Sequence, residues 1–218
     1  MIDFELISSH LPQIYLGLFE TLKVTFFSFA IGLTFGCLLG VLQARGPLIA
    51  RILVSIYTTL FRGTPMLVQI SFFYFFLPYA GFSLSGVASA CLAIGLNSSA
   101  YISQIVRSGI NAINQDELDA AQVLGFSSIQ KTRYIILPQA IRNSLPALTN
   151  ESITLLKDSS LASVIGVAEI YKELRGVLNQ SYDVITVFFL LAVIYLSLTG
   201  ILTVCSYIIS RKMDYANN

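Results

Sequence analysis

From Val24 to Leu42 nineteen consecutive residues carry no charge, and from Val184 to Ile209 twenty-six do the same. Each run reaches the roughly twenty apolar residues an α-helix needs to cross the hydrocarbon core of a bilayer. Because no water is there to satisfy backbone N–H and C=O groups, such runs fold as helices and not as open sheet. Composition extends the reading to the whole chain. Of 218 residues 55% are hydrophobic and 11% charged, with mean hydropathy +0.74, too apolar for a soluble domain of this size. The expectation is an all-α polytopic membrane protein, one transmembrane domain over 1–218 with about five crossings. A net charge of +1 leaves no basic face for nucleic acid. Cys37, Cys91 and Cys205 stand isolated in apolar sequence without C-x-x-C spacing, so they predict neither a disulfide framework nor a metal site.

The first twenty residues hold Asp3, Glu5 and Glu20 but no Lys or Arg, unlike the positive start of a cleavable signal, and are expected to be retained. In the first crossing Gly32, Gly36 and Gly40 recur every fourth residue, a ridge without side chains that predicts a packing seam within the chain more than a pore or subunit contact. After the basic turn Arg45-Gly46-Pro47, apolar sequence resumes and is interrupted at Arg62-Gly63-Thr64-Pro65. A kink or helix boundary belongs there, and the second crossing uses residues on both sides of it. A third crossing, about Leu84 to Val106, carries Asn97, Ser98 and Ser99 near its middle, where an unpaired polar group would cost on the order of a few kcal/mol. They either bond other helices or line a solute route. A fourth apolar segment opens at Pro146 and ends near Val167, with Asn150, Glu151, Thr154, Lys157 and Asp158 on one side of its helix. Ionisable residues at membrane depth mark a pathway by default, although a self-neutralising Lys157 and Asp158 would be merely structural. Val184 to Ile209 makes the fifth crossing.

The longest polar interval, Gln115 to Pro138, predicts a short water-exposed helix, with Asp116 as N-cap and Gly125 just past the end. Ala120, Ala121 and Leu124 share its apolar face, and Asp119 and Gln122 its polar one. Such a helix either connects elements of its own chain or docks in a groove elsewhere.

This interval resembles the EAA motif, E-A-A-x3-G-x9-I-x-L-P, of the permease subunits of ATP-binding-cassette (ABC) importers. Asp119-Ala120-Ala121, Gly125 and Ile135-Ile136-Leu137-Pro138 fit every spacing, with Asp in place of the usual Glu. The segment from Asn97 to Ile110 is similar to the pattern N-x-x-A-Y-x-A-E-I-x-R-G-x-I of the polar-amino-acid branch, with Gln104 for Glu and Ser108 for Gly. Asn150 to Leu161 resembles N-E-x-I-x-L-L-K-D-T-S-L with Ser159 for Thr, and Arg62 to Pro65 matches that branch's R-G-T-P. The resemblance implies a MetI-like type I fold and a binding-protein-dependent importer of polar amino acids. It implies a coupling helix at about 115–125, in which Asp119, Ala120, Ala121, Gln122, Leu124 and Gly125 meet the ATPase. It further implies as partners an ABC ATPase dimer, a second permease subunit (same or related chain) and an extracytoplasmic amino-acid-binding protein.

The substrate-path residues are then Asn97, Ser98, Asn150, Glu151, Thr154, Lys157 and Asp158. The chain contains no G-x-x-x-x-G-K-[ST] loop, so ATP and Mg are expected on the partner ATPase, with no cofactor and no enzymatic activity here. With the coupling stretch on the cytoplasmic side of a bacterial cell membrane, nine basic residues lie inside or at that edge (Arg45, Arg51, Arg62, Arg107, Lys131, Arg133, Arg142, Arg211 and Lys212), and Lys157 stays in the membrane. Only Lys23, Lys172 and Arg175 fall outside. The amino terminus is then external and the carboxyl terminus cytoplasmic. An ATPase-independent carrier or channel for small polar solutes would explain the polar stripe but not the EAA spacing.

Overall fold

The computed structural model describes residues 2–215, and every element among them is helical. A short α1 (Phe4–Ser9) leads into α2 (Leu11–Arg45), 35 residues long. Helix α2 begins well before the charge-free run, because Pro12 sits in its first turn, where a missing N–H costs nothing, and Glu20 pairs with Lys23 one turn on at 2.9 Å. It packs along α5 (Gly86–Asn111), and the glycine ridge explains how closely. A Cβ at Gly36 would lie 2.6 Å from Ile102, one at Gly40 2.7 Å from Val106, and one at Gly32 3.0 Å from Ser98. The ridge is a seam inside the chain.

Helices α3 (Leu48–Gly63) and α4 (Met66–Ser71) meet at the Thr64-Pro65 break and are bent by 101°, with α4 passing into a π turn, Phe72–Phe76, and a 3₁₀ turn, Leu77–Ala80. Helix α8 (Leu137–Asp158) starts nine residues earlier than the sequence predicts, and Pro146 lies inside it. Proline removes one rung of the ladder, but the turns around it are held: Ser144 is buried against Gly109 of α5, and Leu155 and Leu156 are buried further along. A 3₁₀ turn, Ser159–Ile165, closes on Gly166 at φ 88 and leads to α9 (Ile170–Ser181) and α10 (Val184–Tyr215). The side chain of Lys212, counted above among the basic residues, lies outside the described residues.

Among the described residues α2, α5 and α10 are each long and apolar enough to cross a bilayer, and the bent α3–α4 pair passes when taken together. Helix α8, 22 residues and so about 33 Å long, has the length but carries Arg142, Glu151, Lys157 and Asp158. Three apolar clusters hold the bundle. One joins α2, α4, α5 and α8 at the centre through Val24, Ile70, Ile94 and Leu155. Another joins the start of α2 to α9 and α10 through Ile14, Ile170, Leu174 and Val187, and the third, at the opposite end of α2, contains Ile110, Ile113, Leu118 and Ala140. Phe26, Phe35, Leu196 and Ile201 are exposed, as side chains facing lipid must be.

Candidate functional site: a carboxylate-lined cavity and an outward-facing helix

Helix α5 carries three consecutive polar residues, each of which serves a different neighbour. Asn97 addresses the break between α3 and α4. A helical residue 65 would donate its N–H to the Phe61 carbonyl, but Pro65 has none, so that carbonyl is orphaned. Asn97 Nδ2 donates to it at 2.9 Å and Gln69 Nε2 at 2.8 Å, and Asn97 also donates to Gln69 Oε1 at 3.0 Å. Gln69 Nε2 lies 2.7 Å from Thr64 Oγ1 as well, so one amide pair replaces the missing rung and fixes the bend. Ser98 Oγ donates to Glu151 Oε1 of α8 at 2.7 Å, and Ser99 Oγ lies 2.6 Å from the Tyr57 hydroxyl of α3. All three thus make interhelical bonds, and Asn97 also lines a cavity.

That cavity, about 430 Å³, lies between the break, α5 and α8, and is lined by Thr64, Pro65, Asn97, Tyr101, Glu151, Thr154 and Asp158 among others. Two carboxylates, two threonine hydroxyls and a phenol therefore converge, and no basic residue among the described residues lines it. The Arg62 guanidinium sits over the Tyr101 ring, 5.1 Å from its centroid. Of the stripe predicted on α8, Glu151, Thr154 and Asp158 line the cavity, whereas Asn150 and Lys157 are exposed and do not. Lys157 and Asp158, adjacent in a helix, splay apart and form no ion pair. Sequence reasoning missed Gln69 and Tyr101. Gln69 had no signal in an apolar run, but Tyr101 stands four residues after Asn97, one turn along the same face. A separate cavity, about 400 Å³, lies between α5 and α8 towards the far end of α2, lined by Gln104, Ser108, Ala112, Asn143 and Ala147.

At that end stands α6 (Gln115–Val123). Its N-cap is Asn114, whose side chain accepts from the Asp116 N–H at 3.0 Å, in place of the predicted Asp116; Asp116 is already inside the first turn, where its charge meets the helix dipole. The end is as expected. Gly125 is left-handed at φ 80, Phe126 N–H donates to Ala121 O and Gly125 N–H to Gln122 O, both at 3.0 Å, which satisfies the last carbonyls. The helix is fastened to its own chain by buried Leu118 and Ala121, by Gln139 donating to Glu117, and by Lys131 of α7 (Ser128–Lys131) donating to Gln122 at 3.2 Å.

Asp119 accepts from Gln115 at 2.9 Å. Ala120, Ala121 and Leu124 therefore do not share one face. Residues 120 and 121 are 100° apart, and Ala121 turns inward at 4% exposure while Ala120 is exposed and Leu124 stands 75% exposed beside Val123 at 89%. The outward patch of Ala120, Val123 and Leu124 is apolar and uncovered.

The family model of the binding-protein-dependent transport system inner membrane component matches residues 32–215. The chain is 33% identical over 214 residues to a putative glutamine transport system permease protein of Rickettsia conorii, covering 96% of this chain and 98% of that one. It is 35% identical over 215 residues to the arginine transport system permease protein of Bacillus subtilis, covering 97% of each. A chain in the crystal structure of an amino acid ABC transporter with histidines superposes with a TM-score of 0.89 at 32% identity, over 97% of this chain and 99% of that one. The chain therefore belongs to that family: it is a binding-protein-dependent transport system inner membrane component, a permease subunit of an ABC importer.

Proposed function

We propose that this subunit conducts a polar amino acid across a bacterial inner membrane, with ATP hydrolysed by an ABC ATPase dimer that grips the outward patch of α6. The supporting observation is the pairing of a fastened helix that ends in uncovered Val123 and Leu124 with a cavity lined by Glu151 and Asp158 between helices of the bundle. The relatives named for glutamine and arginine share an ammonium group in their solutes, and the two carboxylates suit an ammonium or guanidinium group. A second permease subunit, same or related, would complete the cavity, and an extracytoplasmic binding protein would load it. With α6 cytoplasmic, Arg45, Arg62 and Lys131 fall on the inner side, the amino terminus outside and the end of α10 inside.

Closure of the ATPase pair moves α6. Because α6 is bonded to α7 and packed on the ends of α5 and α8, it moves them as one body. The solute then leaves from the Glu151 cavity between α5 and α8, past Gln104, Ser108 and Asn143. ATP and Mg remain with the ATPase throughout.

The test is purification of the tagged chain with its stoichiometric partners, followed by uptake of labelled amino acids into liposomes. Wild type should bring down an ATPase and require ATP, whereas Leu124→Asp should lose the ATPase while keeping its own fold. Ala121→Arg is a poorer probe, since Ala121 is buried in its own chain. Glu151→Gln with Asp158→Asn should retain the ATPase but reduce uptake at least tenfold. Uptake by the chain without any ATPase would overturn the proposal in favour of a carrier.

A further inference from the structure

A third cavity, about 450 Å³, opens between α2, α5 and the start of α8, on the side where Gly40 and Val106 meet. Its walls are almost wholly apolar, with Leu33, Cys37 and Val41 from α2, Val106 from α5, and Ile141 and Leu148 from α8. The opening follows from the local chain path. A wide π turn at Thr132–Ile136 precedes α8 and leaves Leu137 and Ile141 about half exposed, facing Val41 across a gap that neither helix fills. At one end the crevice reaches Arg45 and Thr132.

Those two residues and Ile136 also line an adjoining cavity of about 430 Å³ that is polar, with Lys131, Gln122, Ser128 and Asp119 around it. An apolar slot thus runs into a polar mouth with two cations. The single carboxylate there, Asp119, already accepts from Gln115. Arg45 is exposed and forms no ion pair among the described residues.

Length identifies the occupant. From Leu33 to Arg45 is twelve residues, about 18 Å at the rise of an α-helix, and half of a bilayer's hydrocarbon core is about 15 Å. The slot therefore spans one leaflet, apolar along that leaflet's interior and cationic where its headgroups lie. We propose that it seats a phospholipid with an anionic headgroup, one acyl chain between α2 and α8 and the phosphate between Arg45 and Lys131. Basic pockets between membrane helices on the cytoplasmic side suit anionic headgroups for the same electrostatic reason. The lipid would bridge α2 to the turn that carries α7, and so sit beside the elements that hold α6. The carboxylate cavity and the identity of the solute play no part in this site.

The chain, with the subunits that accompany it, is purified in mild detergent and given phosphatidylglycerol or phosphatidylcholine of matched acyl chains, with retained lipid counted by native mass spectrometry. Wild type should retain phosphatidylglycerol about tenfold over phosphatidylcholine, and Arg45→Ala with Lys131→Ala should bring the ratio near one. Neither side chain belongs to an apolar cluster, and Arg45→Ala alone, which leaves the bond from Lys131 to Gln122 in place, should lower the ratio in the same direction. A phosphatidylglycerol carrying a diazirine near the end of one acyl chain should label α2 around Leu33 to Cys37 and α8 near Leu148. Cys37→Trp, which fills the slot, should abolish that labelling. Equal retention of the two lipids by wild type, or an unchanged ratio in the charge variant, overturns the proposal. So does labelling confined to the exposed side chains of α10. Cross-linking of Cys37 to a second copy of the chain would place a subunit in the slot and overturns it equally.

Discussion

At the scale of single residues the break at Pro65 shows how one missing donor organises a site. The Phe61 carbonyl is left without its helical partner, and Asn97 and Gln69 supply two replacements from α5 and α4. Replacing Gln69 by Leu removes the pair's acceptor as well as one donor, so Asn97 loses one partner and the Thr64 hydroxyl another. Leaving the buried Asn97 N–H without that acceptor costs about 1–3 kcal/mol, whereas Thr64 is exposed and still donates to the Leu60 carbonyl. Gln69→Leu should therefore lower the thermal stability of the detergent-solubilised chain and, because the bend forms one wall of the Glu151 cavity, reduce solute binding together with stability. A variant that melts like wild type would mean the bend is held by other contacts. Gly125 offers a second case. At φ 80 any other residue carries left-handed strain, with nothing within 4 Å of its Cβ position to add a steric cost. Gly125→Ala should then cost about 1 kcal/mol at the end of α6 and shift ATPase coupling with little change in the rest of the fold, measured as hydrogen exchange confined to the last turn of α6.

At the scale of elements the α2–α5 seam makes the sharpest prediction. Gly36→Val would place its Cβ 2.6 Å from Ile102 side-chain atoms and 3.0 Å from the Ser99 carbonyl, so the helices must separate. Overpacking of this kind costs about 1–3 kcal/mol or more, and a lower yield of folded chain with an earlier melting transition is expected. Gly200 on α10, with open space around it, should accept the same change. Unequal tolerance at the two sites is the measurement, and equal tolerance would remove the seam's importance. The period-four ridge was legible in the sequence because close approach demands small residues at helical spacing. The charge-free runs, the break at Pro65 and the end of α6 at Gly125 were legible for similarly local reasons. The start of α8 was not: Pro146 looks like a boundary, and only packing of Ser144 against Gly109 shows that the helix runs through it. The inward turn of Ala121 and the outward turns of Asn150 and Lys157 were equally hidden. Helical periodicity groups residues on a face but cannot say which neighbour that face meets.

At the scale of the whole molecule one buried carboxylate joins the half of the bundle remote from α6. Glu169, in the connection between α8 and α10, is fully buried at the N-cap of α9 and accepts from the Tyr171 and Lys172 N–H groups, both at 2.8 Å, and from the Tyr195 hydroxyl of α10 at 3.3 Å. Next to it Ile170 N–H donates to Thr21 of α2 at 3.1 Å, so three helices meet there. Burial raises its pKa from the usual 4.5 to about 7, with the hydrogen bonds opposing and the nearby Glu173 charge adding to the rise. The folded chain thus holds this proton more tightly than the unfolded chain does. Where the native state binds more protons, stability falls as pH rises, so the contribution is complete below about pH 4.5 and lost progressively up to about pH 7. A shift of this size corresponds to about 3 kcal/mol. Glu169→Gln keeps an oxygen for one backbone N–H and cannot ionise. Relative to wild type it should gain stability as pH rises from 5 to 7.5, reaching its full advantage above that range. The difference between the two proteins in melts at each pH isolates this group. If wild type and Glu169→Gln follow parallel curves across that window, the carboxylate is ionised in the folded chain throughout, and its two backbone bonds outweigh its burial.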